Sequence, residues 1–435
     1  MKKIAVTTLG CKVNQYESAS ILSTLDKESC ELVPFSQHAD VYIINTCSVT
    51  GRAGQQSRQL VRKAMKQNPD ARLIVTGCYA QMDPQAILDI TEQRACIVGN
   101  AYKNLISSAA LKDEKCDLTM LMGNIGQQKE VCQLPVTDFK DRSRAYLRVQ
   151  DGCNNYCSYC IVPYTRGRSR SVPLTELLVQ MQIYVDNGYR EVVITGINVG
   201  KYGLDQNESE TIYSLIDRLC RDFPETRIRL SSVEPTEITD TLLDLLGQRQ
   251  NFMPHLHIPL QSGDDGVLSH MNRRYTTQQF REVVMAAHQA MPLGGLGCDI
   301  LGGFPGESEE AHRNTLALLN DLPISYLHVF PYSRRPGTLA ASMKEQIPEP
   351  VKNVRISALR ALDQRKRTAF LERNLNTIHQ VLFERKNRGD GLLQGFSENY
   401  LPVRCEGPTN YIRQVSNVRV IKIMDGYLLG VIVEK

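Results

Sequence analysis

The sequence predicts an α/β protein in three parts: an N-terminal doubly wound parallel-sheet domain, a central partial TIM-type (β/α) barrel and a C-terminal small antiparallel β-barrel of the OB type. Three observations predict it. Continuous apolar runs alternate with helical patterns through most of the chain, as in parallel sheets covered on both faces. The 435 residues suffice for about three domains. Residues 371–435 switch to short alternating strands with Gly-Asp-Gly and Asp-Gly turns, the pattern of a small closed barrel.

Composition narrows the class. Hydrophobic residues make up 42% and charged residues 23% of the chain, which excludes a disordered protein. No apolar run approaches the ~18 residues of a bilayer span. The start MKKIAVTTLGCKVNQYE has no secretory apolar core, so a cytoplasmic location without membrane contact is expected. Thirteen cysteines, an odd number, then argue for metal or catalytic roles over a disulfide framework.

In residues 1–115, the runs KKIAVTTLG, VYIINTCSV and RLIVTGCYA read as strands, and 14–25 and 52–67 as helices. Each strand ends at a cysteine: Cys11, Cys47 and Cys78. Parallel strands share the edge at which such folds hold ligands, so three thiols distant in sequence are expected to converge on a metal or cluster. Cys30, Cys96 and Cys116 fall outside this pattern and read as small buried hydrophobes. The polar stretch 116–138, which contains Cys132, reads as a linker.

Residues 139–370 carry six strand-like runs, AYLRVQ, EVVITG, RIRLSS, LHIPL, LGCDILGG and ISYLHVF, separated by helical patterns. Six βα repeats suggest an incomplete parallel barrel with its chemistry at the strand C-termini. The first strand runs into DGCNNYCSYC, with Cys153, Cys157 and Cys160 spaced Cys-x-x-x-Cys-x-x-Cys. A zinc site wants a fourth ligand nearby, whereas the next cysteine is Cys220 and the next histidine His255. Three thiolates on one loop suit a four-iron cluster with one open iron. Two basic blocks suggest a phosphate-binding surface. One holds Arg52, Arg58, Arg62, Lys63 and Lys66 without an acid; the other spans Lys352 to Arg388, with ten basic and three acidic residues.

The cysteine triple, with Tyr159 before its last member, resembles the signature of the radical S-adenosylmethionine (SAM) superfamily. That resemblance implies SAM on the open iron and a 5′-deoxyadenosyl radical, the step no side chain can supply. It implies cofactor-pocket roles for Tyr159, Thr195, Gly196, Glu234, Gln261, Ser262, Arg273 and Gly303. TLGCKVNQYES, INTCSVT, VTGCYAQ, DGCNNYCSYCIVPYTRGRSRS, LQSG, GFPGE and PYSRRPGT together resemble the methylthiotransferases over nearly the whole chain. This narrower resemblance implies two 4Fe-4S clusters, an auxiliary one on Cys11, Cys47 and Cys78 and a SAM-binding one on Cys153, Cys157 and Cys160, six ligands that are also the catalytic set. It implies methylthio delivery from the auxiliary cluster to a substrate carbon, a C-terminal TRAM domain that grips RNA, and an electron donor such as a flavodoxin or ferredoxin. LGCKVNQYES and SSVEP are most similar to the branch acting on threonylcarbamoyladenosine (t6A) in the tRNA anticodon stem-loop. A threonylcarbamoyl group adds a carboxylate, for which Arg166, Arg168, Arg170, Arg334 and Arg335 are the candidate partners. The competing readings are the branch acting on isopentenyladenosine and a non-catalytic iron–sulfur RNA-binding protein.

Overall fold

The computed structural model describes all residues except 27, 113–119, 141, 207–209 and 434–435. Cys116 lies outside the described residues. The N-terminal part is one six-stranded sheet, all parallel. Its strands are β1 (Lys2–Thr8), β2 (Cys30–Leu32), β3 (Val41–Thr46), β4 (Arg72–Gly77), β5 (Cys96–Val98) and β6 (Met120–Leu121), in the order β2-β1-β3-β4-β5-β6. Helix α1 (Lys12–Thr24) follows β1, α2 (Gly51–Gln67) follows β3 and the short α3 (Cys78–Met82) follows β4. Thr50 caps α2, its hydroxyl accepting from the Ala53 amide, which offsets one of the helix's unpaired amides.

The stretch 116–138 does more than connect. Met120–Leu121 is the sixth strand, and Leu134 and Val136 join the buried core of the central barrel. Two residues of the N-terminal part belong to the same seam: Tyr16 and Ala19 of α1 lie in that core, and the Tyr16 hydroxyl donates to the Leu134 carbonyl at 2.8 Å.

The central part is an open arc of six parallel strands, β7 (Ala145–Arg148), β8 (Glu191–Thr195), β9 (Arg227–Leu230), β10 (His255–His257), β11 (Gly295–Gly302) and β12 (Tyr326–Pro331). Isolated bridges Ile228–Phe252 and Ser232–His257 join its two halves. Helices α4 (Glu309–Asp321) and α5 (Glu349–Arg373) belong to its outer layer. The basic block on α5 is largely committed to the fold. Arg355 pairs with Glu307, the Lys366 ammonium donates to the Asn320 and Leu322 carbonyls at the end of α4, and Arg367 pairs with Asp363.

The C-terminal part is a closed five-stranded barrel, β13 (Ile378–Lys386), β14 (Leu393–Ser397), β15 (Pro402–Cys405), β16 (Val415–Met424) and β17 (Tyr427–Ile432). Closure is made by a parallel pairing of β15 with β17; the other pairings are antiparallel. It docks on the N-terminal ends of the arc's strands. Arg229 donates to the Glu398 carbonyl at 2.9 Å, Arg144 pairs with Glu384, and the Tyr400 ring lies 4.8 Å from the Arg229 guanidinium. Among the described residues no helix is long and apolar enough to cross a membrane.

Candidate functional site

The C-terminal ends of β1, β3 and β4 bring Cys11, Cys47 and Cys78 to one sheet edge, each immediately beyond or at the start of the next element. Backbone geometry makes this crowding possible. Gly10 has φ +106°, and a Cβ there would lie 2.9 Å from the Cys47 Sγ; Gly77 has φ +96°, with a Cβ 2.2 Å from the Thr46 carbonyl. No side-chain-bearing residue fits either place without displacing backbone or thiol. Asn14 staples the edge, its amide donating to the carbonyls of Leu9 and Thr46 at 2.7 and 3.0 Å. Burial pushes the Cys47 thiol up to about 12, and the neighbouring Cys78 adds to it.

Cys153, Cys157 and Cys160 occupy the loop after the short strand Gln150–Asp151. The loop turns at Gly152, φ +75°, where a Cβ would lie 1.9 Å from the Arg168 carbonyl. Residues 270–273 brace it: Asn272 donates to the carbonyls of Asn155 and Tyr156, and Ser158 donates to His270. Burial, then the charge of Cys157, pushes the Cys160 thiol up to about 12. Thiols this reluctant to ionise become ligands when a bound cation offsets the thiolate charge.

Each triad offers three free thiols, a donor set that suits a four-iron cluster with one open iron. Four thiolates 2.3 Å from one zinc stand about 3.8 Å apart. Among the described residues, the only three ligating side chains with donor atoms all within 4.8 Å of one another are His257, Asp299 and His328.

A buried ionic knot ties the two loops together. Arg166, 1% exposed, donates to Glu17 at 2.9 Å, to Asp151 at 3.0 Å and to the Asn14 side chain at 2.6 Å. Lys103 pairs with the same Glu17. Asn14 and Glu17 stand on the first turns of α1 after Cys11, and Asp151 precedes the second cysteine loop. Burial alone would raise the Glu17 carboxyl, but Arg166 and Lys103 hold it well below the usual carboxylate range.

The predicted pocket residues divide into two groups. Glu234 pairs with Arg273, whose second nitrogen lies 3.3 Å from the Cys157 Sγ, and the Tyr159 ring meets Phe304 edge-on at 6.4 Å. Thr195 and Gly196 end β8 beside Gln150, whose side chain accepts from the amides of Ile197 and Asn198. Gln261, in the left-handed region at φ +70°, donates its amide to the Asp299 carbonyl. Ser262 and Gly303 make their contacts elsewhere: the Ser262 hydroxyl accepts from the Asp264 amide, and Gly303 donates to Glu307 and packs under Lys352 of α5.

Of the five candidate arginines, Arg166 is consumed by the knot and Arg170 by the carbonyls of Glu130, Arg166 and Arg168. Arg334 donates to Ala341, and Arg168 is exposed. Arg335 is buried near enough to Cys47 to feel its charge, and its Nε and one terminal nitrogen have no acceptor among the described residues. The knot and the His257–Asp299–His328 group escaped sequence reasoning because their members are scattered. The one available signal for the knot was Arg166, singled out for a different purpose.

Comparison with known proteins places these features in a family. Residues 3–99 match the family described as Uncharacterized protein family UPF0004, and residues 147–319 match the Radical SAM superfamily. The chain is 37% identical to the threonylcarbamoyladenosine tRNA methylthiotransferase MtaB of Aquifex aeolicus, over 93% of this chain and 97% of that protein. It is 36% identical to the Bacillus subtilis protein of the same name, over 97% and 94%. A tRNA-2-methylthio-N(6)-dimethylallyladenosine synthase of Neisseria gonorrhoeae is 29% identical, each chain covered in full at 100%. Among solved structures, the radical SAM methyltransferase TsrM of Kitasatospora setae shares the fold at 13% identity, with TM-score 0.57 over 78% of this chain and 77% of that one. With two cysteine loops at facing strand ends and relatives of 36–37% identity along nearly its whole length, the chain belongs to the radical SAM methylthiotransferases.

Proposed function

We propose that this enzyme converts t6A in the tRNA anticodon stem-loop to its 2-methylthio derivative. In this reading Cys153, Cys157 and Cys160 hold the 4Fe-4S cluster that binds SAM, and Cys11, Cys47 and Cys78 hold an auxiliary one. When bound, these groups supply an oxidant able to take hydrogen from an unreactive carbon and a methylthio group to replace it. The observation that carries the reading is the Arg166 knot, which fixes the two loops as one rigid unit across the domain seam. The substrate choice rests on the 37% identity to a t6A enzyme against 29% to a dimethylallyladenosine one.

The chain's own residues divide the remaining work. The Glu234–Arg273 pair places a guanidinium 3.3 Å from Cys157, where its charge steadies the thiolate and the carboxylate of SAM. Tyr159 and Phe304 wall the loop with apolar surface and exclude water. The basic face of α2 suits the tRNA backbone. Arg52, Arg62, Lys63 and Lys66 are exposed, with no acidic partner among the described residues, and such contacts give salt-dependent binding. The closed C-terminal barrel serves as the TRAM domain, and a flavodoxin or ferredoxin supplies electrons.

Mass spectrometry of nucleosides from total tRNA of a strain lacking the gene tests this directly. The expected result is loss of 2-methylthio-t6A with accumulation of t6A. Loss of the isopentenyl counterpart instead overturns the substrate.

A further inference from the structure

Two exposed aromatic rings stand together at the second cysteine loop. Tyr156, between Cys153 and Cys157, is 48% exposed, and Tyr164, on the short helix Val162–Arg166, is 56% exposed. Their ring centroids lie 6.1 Å apart at an interplanar angle of 80°, edge to face. The pair is a fixed corner with ring surface open to solvent.

The backbone holds both rings in place, and burial does not explain why. Tyr156 has φ +48°, in the left-handed region that glycine or asparagine takes more readily than a tyrosine does. Asn154 and Asn155 stand immediately before it, yet the tyrosine occupies that position. The Asn272 amide fixes it there, donating to the Tyr156 carbonyl at 3.0 Å. Strain of this kind collects at ligand sites. Tyr164 is mounted as firmly. Its neighbours Pro163, Thr165 and Arg166 are buried, and the Asn100 amide donates to the Thr165 carbonyl at 2.6 Å.

The surroundings are apolar and basic. Residues 333–340 link the cysteine loop to the N-terminal edge: the Ala340 amide donates to the Ser158 carbonyl at 2.8 Å, and the Ser333 hydroxyl accepts from the Gly51 amide at 3.1 Å. Leu339 and Val49 are exposed on these segments, as are Arg52, Arg168 and Arg334. Residues 47–69, 153–170 and 332–341 contain no Asp or Glu. Rigid exposed rings among unopposed cations suit single-stranded nucleic acid, whose bases stack on aromatic faces while its phosphates take the arginines.

We infer that Tyr156 and Tyr164 form a stacking platform for an unpaired base of the substrate RNA loop, next in sequence to the reacting adenosine. This rests on the tRNA reading proposed above and names a binding subsite within it. One ring belongs to the loop of the second triad; the other is two residues from Arg166, which ties that loop to the first. A base seated on the pair holds its neighbour in the RNA chain beside both triads.

The test is a cycle of RNA and protein changes, read as equilibrium binding by fluorescence anisotropy. The reconstituted full-length enzyme, anaerobic and without SAM, is titrated into labelled t6A-containing anticodon stem-loops, either intact or abasic at one unpaired position at a time. The wild type is expected to bind the intact loop about five- to hundredfold tighter than a loop abasic beside t6A, the scale of one base stacked on an aromatic ring. Tyr156→Gly, which suits the left-handed backbone, and Tyr164→Ala should each weaken binding of the intact loop about fivefold or more. Neither should change binding of that abasic loop. Tyr156→Phe and Tyr164→Phe should bind as the wild type does. Iron content and SAM binding in equilibrium dialysis establish that the cysteine loop is formed in each variant. Wild-type affinity of the Gly and Ala variants for the intact loop overturns the platform, and so does an equal loss on intact and abasic loops. Unchanged RNA binding with slower cluster reduction by a flavodoxin assigns the rings to the electron donor instead. A wild type that binds the stem-loop no better than a loopless RNA duplex sinks the tRNA reading itself, whatever the variants do.

Discussion

The two cysteine triads are assembled by opposite routes. Cys153, Cys157 and Cys160 sit within one loop of eight residues, whereas Cys11, Cys47 and Cys78 come from the ends of three strands spread over 68 residues. The loop triad is shaped locally, by its turn at Gly152 and the brace from residues 270–273. The strand-end triad exists only when β1, β3 and β4 are in register, a non-local arrangement whose loop-closure entropy must be met by the sheet core. The difference teaches where each site is fragile: one in a local backbone conformation, the other in the folding of a whole domain.

Arg166 is the residue both sites share, so its loss should erase the contrast. Arg166→Met strands Asp151 and half of Glu17's pairing inside the seam. Removing one partner of a buried pair costs about 3–5 kcal/mol. Calorimetry is expected to show a large fall in melting temperature, with poor iron loading of both triads. A stable variant with full iron would mean that each loop is held independently.

A second variant should separate the two sites. Gly77→Ala places a methyl 2.2 Å from the Thr46 carbonyl at φ +96°, strain confined to the strand-end triad. Reconstituted protein should then hold about four irons instead of about eight and still bind SAM in equilibrium dialysis. Gly152→Ala, with a Cβ 1.9 Å from Arg168, should give the reciprocal result: about four irons and no SAM binding. Equal losses in both variants would show that the triads assemble together.

The smallest effect is expected from mild acid, which probes the arginines around the buried Glu191 and not the cysteines. Burial would raise the Glu191 carboxyl, but Arg229, Arg144 and Arg227 hold it well below its ordinary value of 4.5. A depressed carboxyl contributes stability that is complete above its unfolded value and is lost as pH falls toward its folded one. The melting temperature of the apoprotein should therefore vary little from this group between pH 8 and 5, and fall below about pH 4.5. Glu191→Gln should flatten that acid limb at the expense of lower stability at neutral pH.

The sequence was informative where pattern and chemistry coincide. VYIINTCSV and RLIVTGCYA are long apolar runs that stop at a cysteine, so both strand and site are legible in them. Cys30–Leu32, Cys96–Val98 and Met120–Leu121 are strands of three, three and two residues, too short to carry a period. Their pairing is dictated by the sheet already formed beside them. Charge was the least legible property. Lys366 and Arg355 read as an exposed basic face, yet α5 turns them onto the carbonyls closing α4 and onto Glu307. Arg227 and Arg229 alternate with apolar residues in RIRL and Arg144 immediately precedes AYLR, and nothing local announces that all three converge on Glu191.

The docking of the C-terminal barrel has a practical corollary for anyone who would cut this enzyme into modules. Ser397, Glu398 and Tyr400 close the underside of the arc against Arg229, and Asn399 reaches the Leu293 carbonyl at 2.6 Å. The small barrel thus covers the underside of the arc's strands as well as forming a domain of its own. A chimera that takes this barrel from a relative must import its seat, Arg144, Glu191 and Arg229, along with it. A truncation at the end of α5 would expose the buried Glu191 and its arginines to water.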